Sequence, residues 1–167
     1  MAAVEHFLPE TDVHPIDIAE TLAEQAAWEF DRVGEDQIAV AVEAVWRTYS
    51  LSLIWSRHDD MLRLISTIEF NPPEARVAEF HHLLNIVNDK VWAGSFTLWR
   101  EEKILAYRSG LTLAGGAHAT PEQVEAMVLT AIGLSERFYP AFQLVGWGEE
   151  SAEEAAAIAI GQAYGTA

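Results

Sequence analysis

Six histidines in a strongly acidic chain are the first residues that could do chemistry, as ligands of a divalent metal ion. His81 and His82 are neighbours on a predicted helix, where consecutive side chains diverge by about 100° and do not easily share one ion. The segment His58-Asp59-Asp60 falls in a predicted hairpin turn, where Asp residues commonly cap the backbone or stay solvated. We therefore expect no metal site.

The sequence lacks the usual motifs for nucleophilic catalysis and for nucleotide binding. The chain has no cysteine and no Gly-x-Ser-x-Gly elbow. Gly115-Gly116 lies between a predicted strand and a predicted helix, where phosphate loops occur. The sequence nevertheless lacks Gly-x-Gly-x-x-Gly and Gly-Lys-Ser/Thr, and no nearby lysine would neutralise phosphate. We expect no catalytic residue and no cofactor.

The charge balance narrows the classes of partner. With 26 acidic and 10 basic residues, the 167-residue chain carries a formal net charge of -16. Such a surface repels nucleic-acid backbones and anionic membrane faces, because both are bound through Lys and Arg. No segment offers the roughly 18 apolar residues of a membrane span, and the N-terminus lacks the features of a signal peptide. We expect a cytoplasmic protein that binds neither nucleic acid nor membrane.

The elements that would position these residues form an α+β domain. Apolar residues alternate with period two over four segments up to Phe70, and a helical period follows Asn71-Pro72-Pro73. Two more strands precede a helix announced by Thr120-Pro121-Glu122-Gln123, which we expect to end near Tyr139-Pro140. The predicted fold is a twisted antiparallel sheet of about six strands with helices packed on it, in the order α-ββββ-α-ββ-α. The predicted divisions are a loosely ordered segment 1–13, a domain 14–148 and a helical tail 149–167.

The second helix, predicted near residues 74–91, carries apolar residues outside its core stripe. Leu83 lies at the edge of that stripe, and Ile86 falls on the opposite side beside His82. A lone exposed isoleucine is ordinary in folded proteins. Alternatively, Ile86 and Leu83 mark a second buried surface. Nearby, Asn88 is expected to help end the helix, and Asn85 to bond a neighbouring loop or strand edge.

The last long helix and the loop after it supply the other candidate interface residues. Ala126, Leu129 and Gly133 lie behind the core face, where their small or apolar side chains permit another backbone to approach closely. Gly133 is equally consistent with a tolerated weak point in the helix. Trp147, flanked by glycines, either folds back as an anchor or forms part of a contact surface. From the two helical faces we predict a homodimer.

The sequence also resembles a known family through seven short segments. In chain order they are His14-Pro15-Ile16-Asp17, Trp28-Glu29-Phe30-Asp31-Arg32, Trp46-Arg47-Thr48-Tyr49, Leu83-Leu84-Asn85-Ile86-Val87-Asn88, Val91-Trp92-Ala93-Gly94-Ser95-Phe96, Leu113-Ala114-Gly115-Gly116 and Glu136-Arg137-Phe138-Tyr139-Pro140-Ala141-Phe142-Gln143. From about residue 14 to its end, the chain resembles the YbjN-domain family of bacterial sensory transduction regulators. The resemblance implies a fold similar to type III secretion chaperones, often dimeric, and supplies no catalytic residues.

Together these observations favour a non-catalytic, chaperone-like module that regulates by binding another, unidentified protein. One alternative is an enzyme or small-ligand carrier that uses a pocket between the sheet and the helices. Another is a structural subunit that needs an obligate partner. A continuous exposed apolar patch would favour the binding module, and clustered titratable groups around an apolar cavity would favour the enzyme or carrier.

Overall fold

A computed structural model describes residues 13–163 of the chain. Its elements, in chain order, are α1 (Pro15–Gln25), β1 (Glu29–Gly34), β2 (Gln37–Glu43), β3 (Thr48–Ser56), β4 (Met61–Glu69), α2 (Glu74–Asp89), β5 (Ser95–Trp99), β6 (Ile104–Thr112), α3 (Pro121–Gly146) and α4 (Ala152–Ala163). The predicted α+β class and element order are confirmed. The predicted loosely ordered segment 1–13 lies outside the described residues except for Val13.

The six strands form one open antiparallel sheet in the order β1-β2-β3-β4-β6-β5. The first four strands are a meander, because each hairpin turn returns the chain beside the preceding strand. The chain then crosses through α2 and enters β5 at the far edge, so that β6 pairs with both β5 and β4. Tyr49, Leu51 and Leu53 are buried on one face of β3, as their alternation predicts.

Within residues 13–163, the helices cover only one face of this sheet. α1 packs on β1, β2 and β3, α3 packs on β4 and β6, and α2 packs on β5. α4 packs on α2 and α3, and its Ala152, Ala155, Ala156 and Ala159 are buried. The opposite face of the sheet carries no helix in the described part of the chain. No helix of that part is both long enough and apolar enough to cross a membrane.

An aromatic cluster joins the sheet to α2 and α3. The rings of Phe70 and Phe80 are 4.5 Å apart between centroids, and those of Phe96 and Phe142 are 5.2 Å apart. Phe138 packs against both Phe96 and Phe142. Each buried phenylalanine contributes about 1.5–3 kcal/mol of transfer free energy, and each aromatic pair about 0.5–1.5 kcal/mol more. This cluster is therefore the centre of the core.

The last long helix does not end at Tyr139-Pro140, as the sequence predicts, but continues to Gly146. Pro140 lacks the N–H of an interior helical residue, a defect that normally costs about 3 kcal/mol. The turns that follow bury Phe142 and Val145 completely or nearly so. Tertiary burial of these side chains offsets the local cost, so the helix passes through the proline.

Glu136 on α3 fastens the turn between β2 and β3. Its carboxylate accepts hydrogen bonds from the backbone N–H of Val45 at 3.0 Å and of Trp46 at 3.2 Å, and from the Tyr49 hydroxyl at 2.8 Å. Burial, together with this hydrogen bond, raises the pKa of Tyr49 well above its ordinary value. The ring of Trp46 also packs on Tyr139 at 6.0 Å. A single carboxylate thus joins the hairpin to the helix layer.

A second polar cluster fastens the start of α1 to the first hairpin. The His14 Nδ1 atom accepts a hydrogen bond from the Ile16 N–H at 3.2 Å, which caps the helix. Its Nε2 atom lies 3.0 Å from Asp36, whose carboxylate also receives two hydrogen bonds from Arg57. Hydrogen bonding to Arg57 holds the pKa of Asp36 below its ordinary value.

Candidate interaction surfaces

A groove lies between β6 and the N-terminal half of α3, next to the loop that follows α2. Its volume is about 310 Å³. It is lined by Ala93, Tyr107, Ser109, Gly110, Leu111, Gln123, Ala126, Met127 and Thr130, which we call the α3 groove. None of these side chains is charged, although the chain as a whole is strongly acidic. The groove therefore suits an apolar group better than an ionised one.

The loop beside the α3 groove is held by close backbone contact. A Cβ atom on Gly94 would stand 2.5 Å from the Arg108 carbonyl oxygen and 2.6 Å from the Tyr107 hydroxyl oxygen, so this position requires glycine. The Tyr107 hydroxyl donates to the Ala93 carbonyl at 3.3 Å, and burial raises the pKa of Tyr107. Trp92, next in sequence to the groove-lining Ala93, is 99% exposed. An indole left in water at a position adjacent in sequence to the groove lining is typical of a residue that anchors a partner.

The structure leaves the predicted outer face of α3 in solvent. Leu129 is 53% exposed, and Ala126 and Gly133 are exposed as well. A Cβ atom on Gly133 would meet no atom within 4 Å, so no neighbour within the described chain requires glycine there. Ala126 belongs to the α3 groove, whereas Leu129 and Gly133 lie outside its lining. Of the three predicted residues, one lines a concave surface and two lie on an open helical face.

The predicted interface on the second helix is wrong for Leu83. Leu83 is fully buried, and Ile86 is partly buried against the core. α4 of the same chain packs against this helix. The small alanine side chains of α4 permit close packing on the neighbouring helices. Leu83 is therefore unavailable to a second copy.

Polar side chains of α2 hold the connection between α3 and α4. Arg76 donates to the Val145 carbonyl at 2.8 Å and to the Glu150 carbonyl at 2.6 Å. Glu79 accepts a hydrogen bond from the Ala152 N–H at 2.6 Å. A cation thus meets a C-terminal carbonyl of α3 and an anion meets the N-terminus of α4, as the two helix dipoles favour.

Glu79, His82 and Glu153 form a trio whose potential ligand atoms lie within 4.8 Å of one another. The expectation of no metal site overlooked the spacing of Glu79 and His82, three residues apart on α2. The His82 Nε2 atom lies 3.2 Å from Glu153, and its Nδ1 atom lies 4.0 Å from Glu79. The two carboxylates approach different ring nitrogens, and Glu79 already caps α4. The geometry suits attachment of α4 to α2.

Of the two roles considered for Trp147 from the sequence, the structure shows the anchoring one. Its ring packs on Phe70 at 4.6 Å with the planes inclined by 67°, which anchors the end of α3 to the core. The residue is nevertheless 50% exposed to solvent. With Pro72 and Pro73 it lines a shallow depression at the N-terminus of α2. Trp147 is thus an anchor with one solvated side.

Asn88, and not Asn85, bonds the strand edge. The Asn88 side chain accepts a hydrogen bond from the Phe96 N–H at 2.8 Å and donates to the Phe96 carbonyl at 2.9 Å. Asn85 is exposed. The pair of bonds satisfies both backbone groups of Phe96 at the edge of the sheet, which blocks strand addition at that residue.

Comparison with known proteins places the chain in a family. A family model described as YbjN, "Putative bacterial sensory transduction regulator", matches residues 15–144. The chain belongs to the YbjN family. A solved structure described as "Crystal structure of YbjN, a putative transcription regulator from E. coli" aligns with a TM-score of 0.52 and 12% sequence identity, over 90% of this chain and 92% of that one. No curated protein matches the sequence.

Some of the candidate surfaces lie inside the range matched by the YbjN family model, and others lie outside it. The matched range includes every residue of the α3 groove, together with Trp92 and Leu129. α4 lies beyond Leu144, where the match ends, as does Trp147. At 12% identity, the likeness to the E. coli YbjN structure shows a shared fold. The function must therefore be argued from the surfaces themselves.

Proposed function

We propose that this YbjN protein is a non-catalytic regulator that binds another protein through the α3 groove. The observation that carries the proposal is the uncharged concave surface of the α3 groove, whose lining residue Ala93 directly follows the fully exposed Trp92 in the chain. Large apolar side chains left in water next to a groove are typical of protein-binding sites. The description of the family as regulatory agrees with this role.

The partner that best fits is an amphipathic helix with an apolar face and basic flanks. Alanine, methionine and threonine side chains of α3 form one wall of the groove, which accepts the apolar face of such a helix. Exposed Glu122 and Glu125 lie in the first two turns of α3. With a net charge of -16 on the chain, they attract a basic segment and repel an acidic one.

Regulation would pass through this protein partner without direct contact with DNA. DNA binding depends on Lys and Arg that neutralise phosphates. The chain has 10 such residues, and Arg32, Arg57, Arg63 and Arg100 form ion pairs with carboxylates. The proposed location is the cytoplasm. A transcriptional role of the kind named for the E. coli protein would require a DNA-binding partner.

A small apolar ligand is a second candidate for the same groove. Its volume of about 310 Å³ lies at the lower end of the range for small-molecule sites, roughly 300–1,000 Å³. The exposed position of Trp92 favours the protein partner, since a small ligand would leave the indole in water. The two candidates predict different molecules on the purified protein.

The test is affinity purification of the tagged full chain from its native cells, with quantitative mass spectrometry of the recovered molecules. Ala126→Arg places a long cation in the α3 groove. Ala157→Arg is the matched control, because Ala157 is an exposed alanine on α4, away from the groove. We expect a protein that is recovered with the wild type and the control and is lost with Ala126→Arg.

That protein should also bind the purified chain directly, through a segment that competes as a synthetic peptide. Recovery of the same proteins with Ala126→Arg would contradict the proposal. A small molecule extracted from the wild type but absent from Ala126→Arg, with no accompanying protein, would establish the ligand carrier instead.

A further inference from the structure

The backbone groups of alternate residues in β1 point away from the sheet. Along an antiparallel strand, successive residues bond in turn to one neighbouring strand and to the other. The Ala44 N–H donates to the Arg47 carbonyl across the β2–β3 turn, so the even-numbered residues of β2 bond to β3. The β2 residues opposite Phe30 and Arg32 are even-numbered. The N–H and carbonyl groups of Phe30 and Arg32 therefore point outward, away from β2.

These four outward groups, which we call the β1 edge, have no partner within residues 13–163. No loop, cap or side chain of that part of the chain bonds to them. At the opposite edge of the sheet, in contrast, the Asn88 side chain bonds both outward groups of Phe96. Two apolar side chains of β1 are also exposed, Phe30 at 36% and Val33 at 57%. An unblocked edge of this kind pairs readily with an added strand.

The side chains beside the β1 edge are acidic. Glu29 and Asp31 lie on the sheet face that carries no helix, because they alternate with Phe30 and Arg32, whose β2 partners are buried. Both carboxylates are exposed, and neither forms an ion pair within residues 13–163. Pairing with a second copy about Phe30 or Asp31 would set carboxylate opposite carboxylate, which is destabilising. The edge therefore favours a basic strand over its own copy.

A cleft on the same face adjoins the start of β1, and we call it the acidic cleft. Its volume is about 340 Å³, and its lining consists of Ala27, Trp28, Glu29, Ala41, Glu43 and Thr48. Glu43 stands two residues beyond the β2 partner of Glu29, so the Cβ atoms of the two glutamates are about 7–8 Å apart. Two carboxylates and an indole around one concavity suit the cationic end of a Lys or Arg side chain.

We propose that the β1 edge binds an extended segment of a basic protein partner, which adds a seventh, antiparallel strand to the sheet. The backbone of this segment bonds to Phe30 and Arg32. Lys or Arg at every second position lies beside Asp31 and Glu29, with one cationic side chain in the acidic cleft. The apolar residues between them lie next to Phe30. This site is separate from the α3 groove, because four strand spacings, or about 19 Å, divide β1 from β6.

A synthetic peptide that alternates Lys and Val tests the proposal on the purified full chain. Amide hydrogen exchange measured by nuclear magnetic resonance reports on each backbone N–H separately. We expect the peptide to bind and to slow the exchange of the Phe30 and Arg32 amides, which should exchange rapidly without it. The same peptide with every backbone amide N-methylated keeps its charge but loses its donors, and it should not bind.

Charge reversal tests the acidic side chains of the site. Glu29→Lys combined with Asp31→Lys should weaken peptide binding about tenfold or more at moderate ionic strength, because two attractions become repulsions. The matched control is Glu101→Lys combined with Glu102→Lys, two exposed positions in the turn between β5 and β6. The control changes the net charge equally and should bind the peptide like the wild type. Circular dichroism should show that both variants are folded.

Several results would overturn the proposal. One is peptide binding that N-methylation leaves unchanged, or that slows neither the Phe30 nor the Arg32 amide. Equal weakening in the two charge-reversed variants is another, since it would show attraction to net charge alone. Amides already protected in the free protein would show that a second copy, or another part of the chain, occupies the β1 edge. Loss of binding in Ala126→Arg would place the peptide in the α3 groove.

Discussion

Removal of the Glu136 carboxylate should destabilise the fold through the β2–β3 turn. Glu136→Ala leaves the buried Tyr49 hydroxyl without its acceptor, which costs about 1–3 kcal/mol. The N–H groups of Val45 and Trp46 lie in an exposed turn and can turn to water, so their loss costs about 0.5–1 kcal/mol each. We therefore expect Glu136→Ala to lower the free energy of unfolding by about 2–5 kcal/mol.

The double-mutant cycle with Tyr49→Phe isolates the buried hydrogen bond. Tyr49→Phe alone should cost about 0.5–1.5 kcal/mol, because Glu136 keeps its two backbone donors. In the double variant no hydroxyl is left without an acceptor, so its cost should fall short of the sum of the single costs by about 1–2 kcal/mol.

Urea unfolding followed by tryptophan fluorescence measures the four free energies by linear extrapolation. The matched control is Glu125→Ala, an exposed glutamate on the same helix, with an expected cost within about 0.5 kcal/mol. A coupling energy near zero between Glu136 and Tyr49, or a cost of Glu136→Ala no larger than that of the control, would refute this reasoning.

Three further predictions concern other polar contacts. The lowered pKa of Asp36 stabilises the fold at any pH above the pKa of about 3.9 that an unfolded Asp has, and this stability is lost as pH falls through the lower pKa of the folded state. The urea midpoints at pH 7 and pH 3 should therefore differ less in Arg57→Gln than in the wild type. An unchanged difference would exclude the ion pair as the cause. Asn88→Ala should lower the free energy of unfolding by about 1–3 kcal/mol and speed the amide hydrogen exchange of Phe96, because both backbone groups of Phe96 lose their partner. Unchanged exchange would contradict the hydrogen bonds. Zn²⁺ at micromolar concentration should not raise the melting temperature, because Glu79 is occupied by the N-terminus of α4; a saturable rise that His82→Ala abolishes would show a metal site.

The strands and helices that depend on local patterns were predictable from the sequence. Alternation located the buried face of β3, and the Thr120 capping box located the start of α3. The end of α3 was not predictable, because Pro140 is a local stop signal that distant packing overrides. Phe142 packs against rings from the segment after β4, from α2 and from β5, and sequence spacing carries no information about such partners.

The candidate surfaces were likewise predictable only where they depend on the periodicity of one helix. Helical periodicity identified the apolar face behind α3, and Leu129 is indeed exposed. It also identified an unusual apolar edge on α2, but it could not show that Leu83 would be fully buried within the same chain. The α3 groove escaped prediction because β6 and α3 form it jointly, next to the loop in which Gly94 lies close to Tyr107. No signal in a single sequence reports such a contact across elements.

Photocrosslinking in the native cells tests the central claim most directly. A photoreactive amino acid at Thr130 stands in the α3 groove, and one at Ala157 stands on the exposed surface of α4. We predict a discrete crosslinked protein from position 130 but not from position 157, joined through an apolar segment flanked by Lys or Arg. Absence of a crosslinked protein at position 130, or the same products from both positions, would contradict the account.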